Sequence, residues 1–225
     1  MKAITISAYG DVDQLHEEEL DIPQIANDEV LVKIKATSIN PIDWKARMGF
    51  LKQMYDWQFP VVLGWDLSGI ITQVGKDVKH FKVGDEVFAR PDIYEDGTKG
   101  TYAEYAAVKE DKLALKPSNV SFEAAAAIPL AGLTAWQVIV DRLKVKKGDK
   151  VLIQAGAGGV GIFAIQIAKH LGAYVATTAS AKNTEFLTNL GADEVIDYHE
   201  HQIGEVLKQY DAVFDTVDDL EAGLA

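Results

Sequence analysis

The stretch VLIQAGAGGVG, residues 151–161, decides how the second half of this chain folds. Residues 151–154 predict a buried strand, and residues 160–171 predict a helix that follows it at once. The glycine pattern G-x-G-x-x-G joins the two, at Gly156, Gly158 and Gly161. This pattern is informative only where it connects a strand to a helix within a β-α-β unit, and that is its context here.

The alternation of strands and helices continues to the end of the chain. The next predicted strands are residues 174–178, 194–197 and 212–215, and the predicted helices between them are residues 183–190 and roughly 202–209. Gly172 and Gly191 stand where the first two helices should stop, a position that glycine favours. Because crossovers between parallel strands are right-handed, the pattern predicts a parallel α/β sheet.

The first half has the pattern of a β-rich domain. Residues 2–7 and 29–36 alternate apolar and polar side chains, which is typical of half-buried strands. Further β-rich stretches cover residues 61–63, 68–74, 85–89 and 102–108, with turn signals between them that include Asn40-Pro41 and Glu95-Asp96-Gly97. Short strands with frequent turns predict a small barrel or a twisted sheet.

The period changes after Lys116-Pro117, where Ser121 is a predicted helix N-cap and residues 132–142 are a second predicted helix. We therefore expect two domains, residues 1–119 and residues 120–225.

The composition is that of an ordinary globular protein and excludes several kinds of partner. The 225 residues carry a formal net charge of -12, which argues against nucleic acid and against an anionic membrane surface. Cysteine is absent, so disulfides, thiolate zinc sites and cysteine nucleophiles are impossible. No signal-peptide core and no run of 18 apolar residues occurs, so we expect a cytoplasmic protein.

Each glycine of the G-x-G-x-x-G pattern has a predicted physical role in holding a dinucleotide. Gly156 permits the tight turn, Gly158 lets the backbone approach a pyrophosphate, and Gly161 lets the helix pack closely on the strand. The free N–H groups and the dipole of the helix start attract phosphates without a basic side chain. The predicted cofactor site comprises Gly156, Ala157, Gly158, Gly159, Val160 and Gly161. The alternative is a glycine-rich turn that binds no ligand.

The end of the second predicted strand indicates which dinucleotide binds. An NAD site places Asp or Glu about 20 residues beyond the glycines, to hold the ribose hydroxyls. Residues 177–182, TTASAK, contain no acid there. A hydroxyl and an ammonium suit a 2′-phosphate, so Ser180 and Lys182 are its predicted ligands and NADPH the predicted cofactor. The alternative is that Lys182 is a solvated residue at the start of the next helix.

Several segments together resemble the zinc-independent quinone oxidoreductases of the medium-chain dehydrogenase/reductase superfamily. They are residues 38–45 (SINPIDWK), 64–69 (GWDLSG), 83–87 (VGDEV), 100–105 (GTYAEY), 128–135 (IPLAGLTA), the glycine turn and residues 191–193 (GAD). The resemblance implies a GroES-like catalytic domain followed by a Rossmann domain. The full dinucleotide-binding fold has six strands, whereas this chain stops just after the fourth. We expect either a fragment of a longer enzyme or a partner chain that covers the apolar edge of residues 212–215.

The resemblance also implies an active site without metal. In zinc-dependent relatives a Cys and a His-Glu pair hold the metal, and the matching positions here are Asn40 and Trp65-Asp66. A catalytic zinc needs about three protein ligands of N, S or O type, and Asp66 alone cannot supply them. His199 and His201 are better explained as part of a surface turn than as a pair of metal ligands.

By similarity, Asn40 and Thr134 face the nicotinamide end of the cofactor, and Tyr198 lies by the 2′-phosphate beside Lys182. We name Asn40 and Asp43 as candidate catalytic residues, with Asn40 as the best candidate to donate a hydrogen bond to a developing oxyanion. The alternatives are a plain turn at Asn40-Pro41 and a helix N-cap at Asp43. The candidate proton donors are water and a tyrosine such as Tyr102.

The family implies hydride transfer from NADPH to a quinone or to the β-carbon of an α,β-unsaturated carbonyl. Quinone reduction and reduction of the unsaturated carbonyl are two hypotheses for the activity. The third hypothesis is a dinucleotide-binding protein or inactive fragment without turnover. Family members are commonly dimers or tetramers, so a homo-oligomer is one expectation, although the segment that often pairs subunits in the family is absent from this chain.

Overall fold

The computed structural model of the chain describes residues 1–55, 57–92, 99–201 and 209–217. By contacts, the chain forms two compact units, Met1–Leu130 and Ala131–Ala225. The division after residue 119, drawn from the sequence pattern, stays a prediction about domains. The predicted turn at Glu95-Asp96-Gly97 and residues 202–208 of the last predicted helix lie outside the described residues.

The first unit is built on two antiparallel sheets. Their strands are β1 (Lys2–Ile6), β2 (Leu15–Glu19), β3 (Glu29–Thr37), β4 (Val61–Val62), β5 (Leu67–Val74), β6 (Glu86–Ala89), β7 (Tyr105–Lys109) and β8 (Leu113–Leu115). One sheet has the order β2-β1-β4, and the other has the order β7-β3-β5-β6-β8. All six strands predicted in this half are confirmed, with shifted ends.

Sequence patterning missed β2 and β8. The sequence of β2 is LHEEE, and its side chains are mostly exposed, so it shows little apolar alternation. It forms because five of its residues pair with β1, from Lys2 opposite Glu19 to Ile6 opposite Leu15. Pairing to a neighbour therefore overrides the local preference of this acidic segment.

The helices of the first unit are short and start at well-formed caps. They are α1 (Pro41–Arg47) and α2 (Phe122–Ala126), and α3 (Pro129–Trp136) starts at the end of the unit. Ser121 caps α2, since its Oγ accepts the Ala124 N–H at 3.2 Å, which confirms the predicted N-cap. A second fixing point is buried Ser68 on β5, whose Oγ donates to the Phe122 carbonyl at 2.6 Å. Through this bond α2 is tied to the five-stranded sheet.

The second unit contains a four-stranded parallel sheet. Its strands are β9 (Lys150–Ile153), β10 (Tyr174–Ala179), β11 (Glu194–Asp197) and β12 (Ala212–Phe214), in the order β11-β10-β9-β12. The helices between them are α4 (Gly159–His170) and α5 (Thr184–Leu190). The predicted parallel α/β arrangement is confirmed. Gly172 and Gly191 adopt φ of 86° and 112° just after α4 and α5, which confirms both predicted helix stops.

The helix predicted over residues 132–142 differs from the structure. The α-helix is α3, and it passes into a π-helix at Gln137–Arg142. Wider turns of this kind are not encoded by apolar spacing, because spacing of 3.6 residues describes an α-helix throughout. Among the described residues, no helix combines the length and apolar character needed to cross a membrane.

We predict that Gly69→Ala destabilises the first unit. Gly69 lies opposite Ile34, where the register of β3 and β5 shifts, and a Cβ there would collide with the backbone carbonyl oxygen of Lys33. Because backbone cannot rotate away, the free energy of unfolding should fall by about 1–3 kcal/mol. Urea denaturation followed by tryptophan fluorescence measures this. Exposed Gln73→Ala on the same strand is the control, expected to stay within about 0.5 kcal/mol of the wild type. A Gly69→Ala chain as stable as its parent would contradict the prediction.

Candidate functional site

The glycine turn of the second unit is held by the neighbouring strand β10. The Ala155 N–H donates to Thr178 Oγ1 at 2.9 Å, and the Gly156 N–H donates to the Thr178 carbonyl at 3.0 Å. Thr177 Oγ1 donates to the Ile153 carbonyl at 2.6 Å, within the core. The start of the turn is therefore fixed before the helix begins.

Gly156 is required for space and not for a special backbone angle. The residue at positive φ is Ala155, at 50°, whereas Gly156 is outside that region. A Cβ on Gly156 would collide with Thr177 Oγ1. A Cβ on Gly161 would lie 2.5 Å from the Ala155 carbonyl oxygen, so α4 approaches the turn as closely as the sequence predicted. These two glycines serve the protein's own packing.

Gly158 and Gly159, in contrast, border open space. A Cβ on Gly158 would meet only the Ala155 carbonyl oxygen, at 3.2 Å, and a Cβ on Gly159 would have no atom within 4 Å. Both residues are exposed, as is Ala157, and Val160 is half-buried. The N–H groups of the first turn of a helix have no acceptor within it, so residues 159–161 present donors and a positive dipole end beside this open space. The arrangement suits a phosphate.

The carboxyl ends of β10 and β11 lie side by side, since Ala179 pairs with Asp197. Ser180 and Tyr198 are the next residues on the two strands. Ser180 precedes a short 3₁₀ turn, Ala181–Asn183, which contains Lys182. Lys182 and Tyr198 are exposed, and Lys182 forms no ion pair within the described part of the chain. The structure thus brings the predicted 2′-phosphate residues to one edge of the sheet.

Sequence reasoning missed Asp197, which stands at this edge. Its carboxylate accepts the Ala181 N–H at 3.0 Å and the His199 N–H at 2.9 Å. The His199 N–H, followed by the Ala181 N–H, holds the pKa of this carboxyl below its ordinary value, so it is charged at neutral pH. The signal was available, since Asp197 ends a predicted strand next to Tyr198.

In the first unit, Asn40 is the N-cap of α1. Its backbone N–H donates to Asp43 Oδ2 at 2.5 Å, and the Asp43 N–H donates to the Asn40 carbonyl at 3.0 Å. The Asn40 side chain also turns toward that N–H, which completes a capping box. Asp43 is therefore the third residue of the helix, and the alternative that it is the N-cap is wrong. Asn40-Pro41 starts a helix and is not a plain turn.

Asp66 binds the side chain of Asn40. It is fully buried, and its Oδ2 accepts Asn40 Nδ2 at 2.8 Å and Ser38 Oγ at 2.5 Å. Asn40 Nδ2 also donates to Ser38 Oγ at 3.1 Å, and the Leu130 N–H donates to Asp66 Oδ1 at 2.7 Å. Asp66 Oδ2 and Ser38 Oγ lie only 2.5 Å apart, so both acceptors stand on one side of the Asn40 amide nitrogen. Because an amide has two N–H groups, the second is outside these two contacts, and the role of Asn40 as a donor to an oxyanion stays a prediction.

Asp43 is the second buried carboxyl beside Asn40. Burial raises its pKa to about 6, and the negative charge of Asp66 acts in the same direction. The phenol of Tyr102 lowers the pKa of Asp43 and so opposes this rise. The Tyr102 hydroxyl and Asp43 Oδ1 are both buried, and no hydrogen bond of ordinary geometry joins them. Burial, together with the charge of Asp43, raises the pKa of Tyr102. The phenol therefore stays protonated, whereas Asp43 exchanges its proton near neutral pH.

The positions that match zinc ligands in metal-using relatives have other contacts here. Asn40 and Asp66 bind each other, and Trp65 is buried against Trp57 with ring centroids 6.3 Å apart. Within residues 1–55, 57–92, 99–201 and 209–217, no three His, Cys, Asp or Glu residues are grouped so that they could hold a metal ion. Thr134 lies in α3 and is half-buried.

Comparison with known proteins agrees with this architecture. The sequence model of the alcohol dehydrogenase GroES-like domain matches residues 26–118, and that of the zinc-binding dehydrogenase family matches residues 159–222. The NADPH-dependent alkenal/one oxidoreductase, chloroplastic, of Arabidopsis thaliana is 44% identical over 223 residues, which are 96% of this chain and 57% of that protein.

Two solved structures are also similar. The quinone oxidoreductase from Coxiella burnetii has a TM-score of 0.89 and 40% identity, covering 96% of this chain and 68% of that one. The Escherichia coli quinone oxidoreductase complexed with NADPH has a TM-score of 0.86 and 32% identity, covering 100% of this chain and 69% of that one.

A GroES-like unit followed by a parallel sheet with a glycine turn defines the class of medium-chain dehydrogenases/reductases. The chain belongs to the zinc-independent quinone oxidoreductase branch of that superfamily. It spans 57% of the length of the Arabidopsis relative.

We predict that Asp43→Asn flattens the pH dependence of stability. The folded chain keeps Asp43 protonated up to about pH 6, whereas the ordinary pKa is 3.8. Between these values the folded state binds the extra proton, so Asp43 contributes a loss of about 1.4 kcal/mol of stability per pH unit as the pH rises through this window. Above pH 6 this contribution is constant.

Urea denaturation from pH 4 to 7.5 measures this slope. Asparagine does not titrate, and it keeps an oxygen that can accept the Asn40 N–H. Tyr102→Phe is the companion variant: it removes a group that lowers the pKa of Asp43, so the sloping window should extend to higher pH. Equal slopes for the wild type and Asp43→Asn would contradict the assignment.

Proposed function

We propose that this chain binds NADPH at the turn Gly156–Gly161 and belongs to an enzyme that transfers a hydride from NADPH to a quinone. The observation that carries the proposal is the open side of the turn at Gly158 and Gly159, next to the first-turn N–H groups of the 12-residue helix α4. The protein's own packing does not need glycine at Gly159 and barely needs it at Gly158. A pyrophosphate lying against the backbone supplies the missing reason.

The choice of NADPH over NADH rests on the neighbouring strand ends. Ser180 and Lys182 offer a hydroxyl and an ammonium, and Tyr198 adds an exposed ring beside them. No carboxylate stands at the end of β10, where an NAD site would hold the ribose. The Arabidopsis relative is named NADPH-dependent, and the Escherichia coli enzyme was crystallised with NADPH. Both support the same choice for this chain.

NADPH when bound supplies the hydride, and the residues of the chain position and protonate. We propose Thr134 and Asn40 as contacts for the nicotinamide end, on the basis of the family resemblance. Asp66 and Ser38 orient the Asn40 amide, and we propose that its second N–H donates a hydrogen bond to the developing oxyanion. Asp43 acts through Asn40 as well, because its Oδ2 holds the Asn40 backbone N–H and its proton exchanges near neutral pH.

Reduction of an enone or 2-alkenal double bond is the second candidate activity. The name of the Arabidopsis relative supports it as strongly as the two quinone oxidoreductases support quinone reduction. The third candidate is a binding protein or fragment without turnover, which is consistent with a chain that spans 57% of that relative. A cytoplasmic location and a homo-oligomeric state remain predictions without support here; the relative's name includes the word chloroplastic.

We predict that Gly158→Ala folds but binds NADPH at least tenfold more weakly. The added methyl fits the protein with one tight contact, at 3.2 Å from the Ala155 carbonyl oxygen, but occupies the side on which the pyrophosphate would lie. Nicotinamide fluorescence measures the dissociation constants of NADPH and NADH, and thermal unfolding reports folding. Exposed Lys147→Ala, away from the turn, is the control. A folded Gly158→Ala chain with wild-type affinity would favour a turn that binds no ligand.

Activity is tested by NADPH oxidation with a panel of quinones, enones and 2-alkenals. We expect this chain, or the chain extended to the length of its relatives, to turn over quinones faster than alkenals. Faster reduction of alkenals would favour the second candidate. Binding of NADPH without oxidation of any panel member, at either length, would favour the binding protein.

A further inference from the structure

A negative charge at the predicted 2′-phosphate site needs an explanation. Asp197 ends β11 directly beside Ala179, the residue before Ser180. Simple electrostatics says that a carboxylate at this edge repels a 2′-phosphate, as it does in sites that select NAD. The contacts of Asp197 point to a different role.

Both carboxylate oxygens of Asp197 face main-chain donors. Oδ2 accepts the Ala181 N–H and Oδ1 accepts the His199 N–H, at 3.0 and 2.9 Å. The Asp197 carbonyl accepts the N–H groups of Glu200 and His201, at 3.1 and 3.0 Å. One residue thus joins the turn after β10 to the turn after β11. Its charge is met by N–H dipoles of both turns, which reduces the repulsion that reaches the phosphate.

The turn that Asp197 holds carries the phosphate ligands. Ala181 opens the 3₁₀ turn Ala181–Asn183, so its N–H fixes where Ser180 and Lys182 leave the strand. Asn183 closes the same turn, with its N–H on the Ser180 carbonyl at 2.9 Å and Nδ2 on Ser180 Oγ at 3.3 Å. Without the bond to Asp197, nothing else among the described contacts connects Ala181 to β11.

We propose that Asp197 is a positioning residue for NADPH: by fixing the turn at Ala181, it places Ser180 and Lys182 for the 2′-phosphate and increases affinity for it despite carrying a negative charge. The inference rests on the proposed cofactor and deepens it. It predicts that removal of the Asp197 carboxylate weakens binding of the 2′-phosphate, whereas simple electrostatics predicts tighter binding. The two expectations can therefore be distinguished by experiment.

The probe is 2′,5′-ADP, which carries the 2′-phosphate, with NADH as the reference for the rest of the site. Isothermal titration of the whole chain should show that Asp197→Ala binds 2′,5′-ADP about tenfold more weakly, while NADH stays within about twofold. Asp197→Asn keeps one acceptor oxygen without the charge and should lose less than Asp197→Ala. Lys182→Ala should lose affinity for 2′,5′-ADP only.

Two further measurements separate positioning from general damage. Hydrogen exchange of the Ala181 amide should be slow in the wild type and faster in Asp197→Ala. Asp149→Ala is the matched control: Asp149 also accepts a main-chain N–H, that of Lys146 at 3.0 Å, but just before β9, at the other end of the sheet. It should leave the ratio of the two affinities unchanged.

Tighter binding of 2′,5′-ADP by either Asp197 variant would overturn the inference, because repulsion would then dominate. Unchanged binding, or an equal loss for NADH, would overturn it as well. These outcomes differ from failure of the proposed function, in which the wild type itself binds neither 2′,5′-ADP nor NADPH.

Discussion

The close approach of helix α4 to the end of strand β9 is the constraint on which the second unit depends. Gly156 and Gly161 permit it, since a side chain at either position would collide with Thr177 or with the backbone of Ala155. As a result the helix starts directly at the carboxyl edge of the sheet. The first-turn N–H groups therefore stand at the same edge as the ends of β10 and β11, so the candidate residues for the pyrophosphate and for the 2′-phosphate share this edge.

In the first unit a comparable constraint is the burial of two carboxyl groups around Asn40. Asp43 holds its backbone and Asp66 its side chain, so the residue at the start of α1 cannot move without breaking bonds to both. Buried acids are costly unless hydrogen bonds satisfy them, and Asp66 accepts from Asn40, Ser38 and Leu130. Asn40 and Asp66, at which the family resemblance implies metal ligands in zinc-using relatives, are joined here in a hydrogen-bonded network.

Local patterns were sufficient for most of the fold. The strand, the glycine turn and the helix at residues 151–170 could be predicted from one continuous stretch of sequence. The helix stops at Gly172 and Gly191 could likewise be predicted from the local sequence. Strand β2 was missed because three of its five residues are glutamates and its partner β1 lies elsewhere in the sequence. The state of Asn40 could not be predicted because Asp66 is 26 residues away, and only folding shows which atoms of the amide it uses. Asp197 was not predicted because the end of β10 contains no acid, whereas folding places Asp197, at the end of β11, beside Ala179.

The two threonines on β10 have a consequence for how portable the glycine turn is. Thr177 ties its hydroxyl to the end of β9, and Thr178 holds the amides of Ala155 and Gly156. The shape of the turn therefore depends partly on side chains of the adjacent strand, about twenty residues away from the glycines in the sequence. Grafting VLIQAGAGGVG alone onto another parallel sheet would omit the two threonines that hold the turn. A transferable unit therefore needs both strands, β9 and β10, with Thr177 and Thr178.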